Sequence, residues 1–300
     1  MEEKRTTTHM QRVGVAIYLV LPFLALLAGV IPVWGLGADV VSLGLFIVFF
    51  YLSGLGITVG YHRYFTHRGF TVKYRWLVYV LGMCGSMALN GRLFDWVGCH
   101  TKHHQHSDKE GDPHSPYHYG DGFWNVCRGA VYAHVGWIFE SVGAEERFIK
   151  KMRSDPDLVR INNWFIPCVI VGLIAPPVIG IVIRQDVSWV FVDFVWGGLI
   201  RLFFVNHVTW CVNSVCHLWG TRPFETADES RNNLAIGLLG AGEGYHNCHH
   251  AYPRSAKHGL LPGQFDLSWV VICGLKKLGL IENVIVPSEE QLVRARMVHT

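Results

Sequence analysis

The sequence is poor in charged residues. Only 16% of its 300 residues are Asp, Glu, Lys or Arg, whereas 50% are hydrophobic. Because an ordinary soluble domain is about one quarter charged, this composition is too apolar for that class and indicates a membrane protein. The net charge of +3 is small, and we expect no nucleic-acid partner.

The sequence also lacks the usual cysteine patterns. Its eight cysteines are scattered and form no Cys-x-x-Cys pair, so neither a zinc ribbon nor a disulfide framework is predicted. Free thiols fit a reducing compartment. There is no ferredoxin-like cysteine run, no haem-binding segment and no dinucleotide-binding glycine motif. With no linker, repeat or low-complexity run, residues 1–300 are expected to form a single domain.

Four hydrophobic runs each reach the roughly 20 residues that a helix needs to cross a bilayer. They are residues 13–33, 40–61, 164–183 and 188–208. The polar start, with no small-residue cleavage signal after the first run, predicts that this run remains as a membrane anchor. Basic residues between 63 and 75 follow the second run, so this end and both termini are expected in the cytoplasm. Asp193 and Arg201 in the fourth run are expected to face protein or the interface, because charges are costly in lipid.

Histidine is the unusual residue. Eight of the 17 histidines lie in three short clusters, each beside a hydrophobic run, and His217 precedes the third cluster. The clusters are His62 and His67, then His100, His103 and His104, then His246, His249 and His250. In a helix, the first histidine of His-x-x-His-His shares a face with both others, whereas adjacent histidines point about 100° apart. One can therefore bind one metal ion and its neighbour a second. Imidazole suits iron, copper and zinc, so the clusters predict a two-metal site.

Residues 76–97 are apolar, but Asn90, Arg92 and Asp95 interrupt their end. If the first two clusters share a site, they lie on one side of the membrane, and a single crossing between them is forbidden. We therefore expect an interfacial or re-entrant helix over 76–97. Hydropathy, together with the requirement that all histidine clusters lie on one side of the membrane, predicts an all-α integral membrane protein. It would have four transmembrane helices and a histidine-rich cytosolic cap. The cap is expected to comprise residues 62–157 and 209–300.

Three interpretations of the histidines compete. Lone histidines are expected to be interfacial polar residues, and we assign His9, His134, His207, His258 and His299 to that class. A non-enzymatic metal-binding membrane protein is an alternative, but transporter sites lie near the midplane, whereas these clusters lie just outside the runs. Zinc hydrolases normally use three protein ligands per metal, too few for this set. We favour a two-iron enzyme that activates oxygen beside lipid acyl chains.

These residues resemble the membrane fatty acyl desaturases, specifically the stearoyl-type acyl-CoA Δ9-desaturases, over about 52–253. The matching motifs are Gly56-Ile-Thr-Val-Gly60, His62-Arg-Tyr-Phe-Thr-His67, His100-Thr-Lys-His-His104, Gly111-Asp-Pro-His114, His134-Val-Gly-Trp137, Asn213-Ser-Val-Cys-His217, Gly242-Glu-Gly244 and His246-Asn-Cys-His-His250. The resemblance implies four membrane helices under a cytosolic cap. It also implies two iron ions, with Asn213 holding a metal-bound water. The nine histidines that would hold the iron are His62, His67, His100, His103, His104, His217, His246, His249 and His250.

The reaction that the resemblance implies is the oxygen-dependent insertion of a cis double bond into a saturated acyl chain. The expected position is carbon 9 of stearoyl- or palmitoyl-CoA, with O2 as co-substrate. A fatty acyl or alkane hydroxylase with the same histidine cage is the alternative enzyme. Because no electron carrier is fused, we expect a separate donor such as a ferredoxin, a cytochrome or a flavoprotein reductase.

The sequence departs from the animal members of that family where they bind coenzyme A. Gly98 and Cys99 stand in place of an Arg-Asp pair, and Glu140 and Ser141 in place of basic residues. The expected type is bacterial-like. Acyl-CoA remains the expected carrier, with acyl carrier protein or phospholipid as alternatives.

The resemblance also places residues along a substrate tunnel. Trp96, Thr209 and Trp210 correspond to positions near the bend of the family's tunnel. Because the second run leads into His62, we expect Gly54 to admit the methyl end of the acyl chain and Phe50 to close the tunnel. The alternative role for Gly54 is close helix packing, as small residues allow in membranes.

Overall fold

The computed structural model of the protein describes residues 8–30, 36–140 and 145–297. The expectations for residues 31–33, Ser141 and His299 lie outside the described residues. Four helices are long and apolar enough to cross a membrane, which confirms the predicted all-α membrane fold. They are α1 (His9–Val30), α2 (Val40–Thr66), α8 (Phe165–Arg184) and α9 (Val187–His217). Helices α2 and α9 continue past the hydrophobic runs, so each ends among the clustered histidines.

Shorter helices form the remainder. They are α3 (Arg75–Ser86), α4 (Leu93–His106), α5 (Phe123–His134), α6 (Glu146–Arg153), α7 (Pro156–Asn163), α10 (Leu234–Leu239), α11 (His246–Ala251), α12 (Leu267–Lys277) and α13 (Glu289–Met297). The side chains of Asp39, Asp155 and Asp266 accept backbone N–H bonds at the starts of α2, α7 and α12, as N-capping residues do. A short antiparallel pair of strands, β1 (Thr71–Val72) and β2 (Ile281–Glu282), joins the segment after α12 to the segment after α2.

The segment expected to form one helix over 76–97 instead contains most of α3 and the start of α4. Leu89 and Gly91 between them have positive φ angles of 54° and 103°, so the chain reverses there. Helix α3 has 12 residues, about 18 Å at 1.5 Å per residue, and is too short to cross a bilayer alone. The two helices contact each other after this turn and form a hairpin.

Arg201 of α9 holds the tip of this hairpin. Its side chain is fully buried, and its terminal nitrogens donate to the carbonyl oxygens of Met87 and Gly172, each at 2.6 Å. Arg201 lies near the middle of α9, about 21 Å from Val187 and about 24 Å from His217 along the axis. The tip of the hairpin therefore packs against the midpoint of a spanning helix, and an interfacial or re-entrant position for residues 76–97 stays a prediction.

Buried polar contacts and glycines join the spanning helices. Asp193 is fully buried, accepting from Ser42 at 2.7 Å and from Arg184 at 2.6 Å. With Arg201 also buried, the prediction that both charges face protein is confirmed. At Gly56 of α2, an added Cβ would overlap the backbone of Gly85 in α3. Here glycine allows two helices to touch, as small residues do in membrane proteins.

Candidate metal centre

The nine clustered histidines come together in two groups. The first group comprises His62, His67, His100, His104 and His249, and the second comprises His103, His217, His246 and His250. Within each group, the candidate ligand nitrogens all lie within 4.8 Å of one another. The chain brings them together from α2, α4, the end of α9 and α11. No single element supplies a complete group.

Adjacent histidines go to different groups. His103 belongs to the second group and His104 to the first, whereas His249 belongs to the first and His250 to the second. This is the split that the helical angle of about 100° per residue predicts. Helices α4 and α11 therefore each contribute to both groups and fix their relative position.

The first cluster uses a different helix geometry. Residues Gly56–Thr66 are wound as a π-helix, and the backbone N–H of His67 donates to the carbonyl of His62, five residues earlier, at 3.0 Å. In an ordinary α-helix, residues five apart point to different sides. The wider π turn places them one above the other, and their ring centres lie 4.8 Å apart. The sequence spacing alone gave no sign of this winding.

The nitrogens of the first group have the spacing of ligands around one ion. Nε2 of His104 lies 3.0 Å from Nε2 of His100 and 2.9 Å from Nε2 of His249. The same distance of 3.0 Å separates Nε2 of His67 from that of His100, and Nε2 of His62 from that of His249. Imidazole nitrogens lie about 2.0–2.1 Å from zinc, so at similar bond lengths two ligands at right angles are about 3 Å apart. These residues therefore fit a metal ion at their centre.

Four of the nine rings are held by carboxylates at Nδ1. The pairs are His62 with Glu243, His103 with Asp112 at 3.0 Å, His217 with Asp108 at 2.7 Å and His250 with Asp228 at 2.7 Å. A carboxylate accepts the Nδ1 proton of a neutral imidazole, which leaves a lone pair on Nε2. Such outer carboxylates orient metal-binding histidines and raise their basicity.

The Nε2 atoms of the second group also fit a bound cation. Nε2 of His103 and Nε2 of His250 are buried, and neither has a hydrogen-bond partner among the described residues. Nε2 of His217 lies 3.1 Å from Nε2 of His246. Buried lone pairs without donors are costly, and a bound metal ion would satisfy them. The residues present therefore fit the two-metal centre that the family resemblance implies.

Burial favours the neutral, ligating form of these rings. Burial first, and then repulsion from neighbouring imidazoles, holds the pKa of His100, His104 and His249 well below its usual range. The pKa of His250 falls to about 4 for the same first reason, although Asp228 opposes the shift. Metal ions bind neutral imidazole, so these four rings have no proton to lose at neutral pH.

Sequence reasoning missed a polar layer behind the first group. His258, expected to be an interfacial residue, is 1% exposed, and its ring centre lies 4.4 Å from that of His249. Its Nδ1 lies 3.5 Å from Glu243 without a hydrogen bond between them, and Glu243 accepts from Arg63 at 3.2 Å. Arg63 in turn is fully buried and pairs with Asp266 at 3.1 Å. The interfacial assignment of His258 is wrong, because α12 and the preceding loop bury it.

His134 and His207, which were also expected to be interfacial residues, are half-buried. The two rings are hydrogen-bonded to each other at 2.9 Å, and His134 contacts Ser214 at 3.1 Å. They join α5 to α9, and their interfacial position stays a prediction. Among the other lone histidines, His9 is exposed at the start of α1, as expected.

Two cavities meet beside the metal centre. Both are lined by Trp96, His100, Thr209 and Asn213. The first extends along α2 and includes Phe50 and Gly54, whereas the second extends toward α1 and includes Trp210. Each residue expected along a substrate tunnel thus lines at least one cavity. Asn213 lies one helical turn before His217, at the point where the cavities meet.

Gly54 differs from the neighbouring glycines. A Cβ added at Gly54 would meet only Val205, at 3.8 Å, which is ordinary contact. At Gly56 it would overlap the backbone of α3, and at Gly60 it would lie 2.8 Å from the carbonyl oxygen of Leu81. Close packing therefore explains Gly56 and Gly60, while Gly54 opens onto the first cavity.

Comparison with known proteins points to one family. The fatty acid desaturase family model matches residues 40–262. The hex-5-enoyl-[acyl-carrier protein] acetylenase of Moorena producens is 34% identical over 279 residues, which cover 92% of this chain and 87% of that protein. The chloroplastic palmitoyl-monogalactosyldiacylglycerol delta-7 desaturase of Arabidopsis thaliana is 36% identical over 286 residues, 94% and 70% of the two chains. The sn-1 stearoyl-lipid 9-desaturase of Synechocystis sp. is 37% identical over 247 residues, 81% and 71% of the two chains.

Proposed function

The chain belongs to the fatty acid desaturase family, and we propose that it inserts a cis double bond at carbon 9 of a saturated C16 or C18 acyl chain. The observation that carries this proposal is the position of the two histidine groups, at the junction of two cavities beside membrane helices. An acyl chain that runs through both cavities would present its middle to the metal centre. The nine histidines would hold two iron ions, five in the first group and four in the second.

Two iron ions bound there would supply the oxygen activation and the removal of hydrogen from two neighbouring methylenes. The chain's own residues hold and align the reactants. Glu243, Asp108 and Asp228 fix the orientation of three of the histidine rings through Nδ1. Trp96 and Thr209 line both cavities and would restrict the acyl chain to one path past the histidines. Such positioning accounts for a large part of catalysis in reactions of this kind.

The second cavity bears on the acyl carrier. Its lining includes the carboxylates of Asp95 and Glu140 and, among the described residues, neither lysine nor arginine. A coenzyme A head group carries several phosphate charges, which bind best to arginine or lysine. This lining supports a glycerolipid as carrier over the acyl-CoA that the resemblance implied. The names of two of the relatives, which act on lipid-linked chains, point the same way.

Orientation and electron supply complete the proposal. We propose that the histidine groups and both termini lie on the cytoplasmic side, because basic residues follow α2 and such residues favour that side. Electrons would come from a separate ferredoxin, cytochrome or flavoprotein reductase, with O2 as co-substrate.

A reconstituted assay tests this function. The purified protein, loaded with iron and supplied with a reduced ferredoxin system and O2, is given stearoyl glycerolipid or stearoyl-CoA, and the products are identified by mass spectrometry. We expect an octadec-9-enoyl product from the lipid and at least tenfold less from the CoA ester. An alcohol product would instead identify a hydroxylase. Absence of acyl-dependent oxygen consumption with either substrate would favour a non-enzymatic metal-binding protein.

A further inference from the structure

Two hydrogen-bond donors face the second cavity without a protein partner. The hydroxyl of Tyr18 on α1 and the indole N–H of Trp137 are both buried, and neither has a partner among the described residues. Both side chains line this cavity, whose volume is about 220 Å³. Trp137 lies in a short 3-10 turn, Gly136–Phe139, that packs against α1. Because unmet buried donors are unfavourable, the pair indicates a ligand with an acceptor atom.

The chemistry of the two donors limits the classes of ligand that could bind there. An indole N–H can only donate, and a tyrosine hydroxyl donates well to a carbonyl oxygen. In a saturated acyl chain, the carbonyl oxygen of the ester or thioester is the acceptor nearest to the hydrocarbon. If the proposed function is correct, the acyl group enters the second cavity by that end. We propose that Trp137 and Tyr18 bind the acyl carbonyl oxygen and so set the position of the new double bond by its distance from the carboxyl end.

The spacing supports this assignment. The ring of Trp137 lies 5.3 Å from that of His114, which lies 4.5 Å from the ring of His103 in the second histidine group. An extended chain advances about 1.2 Å per bond, so the eight bonds from a carbonyl carbon to carbon 9 span about 10 Å. The two ring contacts mean that the ring of Trp137 is no farther than this from the ring of His103. A chain whose carbonyl is held at Trp137 is therefore long enough for its ninth carbon to reach the histidines.

The two ends of the acyl chain would therefore be positioned by different residues. The donors at Trp137 and Tyr18 would fix the carboxyl end, whereas Gly54 in the first cavity would limit the methyl end. Changes at the donors should alter where the bond forms, and changes at Gly54 should alter which chain length is accepted. A residue that only supports the fold would alter neither selectively.

The test uses Trp137→Phe and Tyr18→Phe, which each remove one donor and keep the aromatic ring. With iron-loaded enzyme and an sn-1 stearoyl ester lipid, we expect each variant to have kcat/KM lowered about fivefold, as for one lost hydrogen bond. We also expect products spread over neighbouring bond positions, with bound iron unchanged. Trp124→Phe, at a tryptophan that is 80% exposed and lines neither cavity, is the control and should behave as wild type.

A second substrate removes the acceptor instead of the donors. In an sn-1 octadecyl ether lipid the carbonyl is absent, so the wild type should lose selectivity of bond position, and Trp137→Phe should add no further loss. Unchanged bond position and kcat/KM in both variants on the ester would overturn the anchor while leaving the desaturase function intact. A wild-type protein that forms no alkene from any acyl substrate would instead overturn the proposed function.

Discussion

Replacing Gly54 by leucine should shorten the acyl chain that the protein prefers. The added Cβ meets only Val205 at 3.8 Å, so the side chain can enter the first cavity without disturbing α2. Beyond Cβ, leucine reaches two carbons further, which displaces about two methylenes of a bound chain. Each buried methylene contributes about 0.8 kcal/mol, so a chain two carbons longer loses about 1.6 kcal/mol. This corresponds to a change of about fifteenfold in relative kcat/KM.

The assay is a competition between palmitoyl and stearoyl chains on the same lipid, with products measured by mass spectrometry. Gly54→Leu should shift the ratio of kcat/KM toward palmitoyl by about that factor and leave bound iron unchanged. Gly44→Leu is the matched control, because Gly44 is on the same helix, has nothing within 4 Å of an added Cβ and lines neither cavity. Gly56→Leu should fail to fold, since its side chain would overlap α3.

Two results would refute this reasoning. A uniform loss of activity on both chain lengths would mean that Gly54 serves helix packing after all. No shift in preference, with normal activity, would mean that the acyl chain does not reach Gly54.

Three further predictions concern the hairpin, the topology and the outer carboxylates. Arg201→Gln should lower the thermal midpoint in detergent by several degrees, because bonds from a charged group to buried carbonyls contribute about 1.5–3 kcal/mol; an unchanged midpoint would contradict its structural role. In a background stripped of native thiols, cysteines introduced at the exposed Lys73 and Lys109 should both react with a reagent applied from the cytoplasmic side; labelling from opposite sides would refute the prediction that the segment over 76–97 does not cross the membrane. Asp108→Asn should weaken iron binding about 10- to 100-fold, whereas the exposed Asp121→Asn should not; equal affinity in the two would count against orientation of His217 by Asp108.

The parts of the fold that follow from one-dimensional patterns were predictable. Hydrophobic runs of about 20 residues specify spanning helices, because every backbone polar group in a bilayer must be bonded within its own helix. The division of His103 from His104, and of His249 from His250, follows from helical rotation alone. These features need no knowledge of distant contacts.

Other features depend on contacts that the sequence pattern does not reveal. The π-helix that aligns His62 and His67 depends on which backbone hydrogen bonds form locally. The spacing of these two histidines in the sequence is compatible with more than one helix type. In the sequence His258 is an isolated polar residue, whereas in the structure the loop before α12 places it behind His249. The partners of Arg201 are backbone carbonyl oxygens of α8 and the hairpin. A sequence pattern can suggest a carboxylate partner for an arginine, but it cannot reveal a carbonyl partner of this kind. Each case is set by tertiary packing.

Iron content of the purified protein tests the central claim most directly. Metal analysis of the wild type should give two iron ions per chain, and His9→Ala, at an exposed histidine outside both groups, should give the same. His104→Ala in the first group and His250→Ala in the second should each hold about one iron ion or fewer and form no unsaturated product. Retention of two iron ions and full activity by both of these variants would contradict a centre built from the two histidine groups.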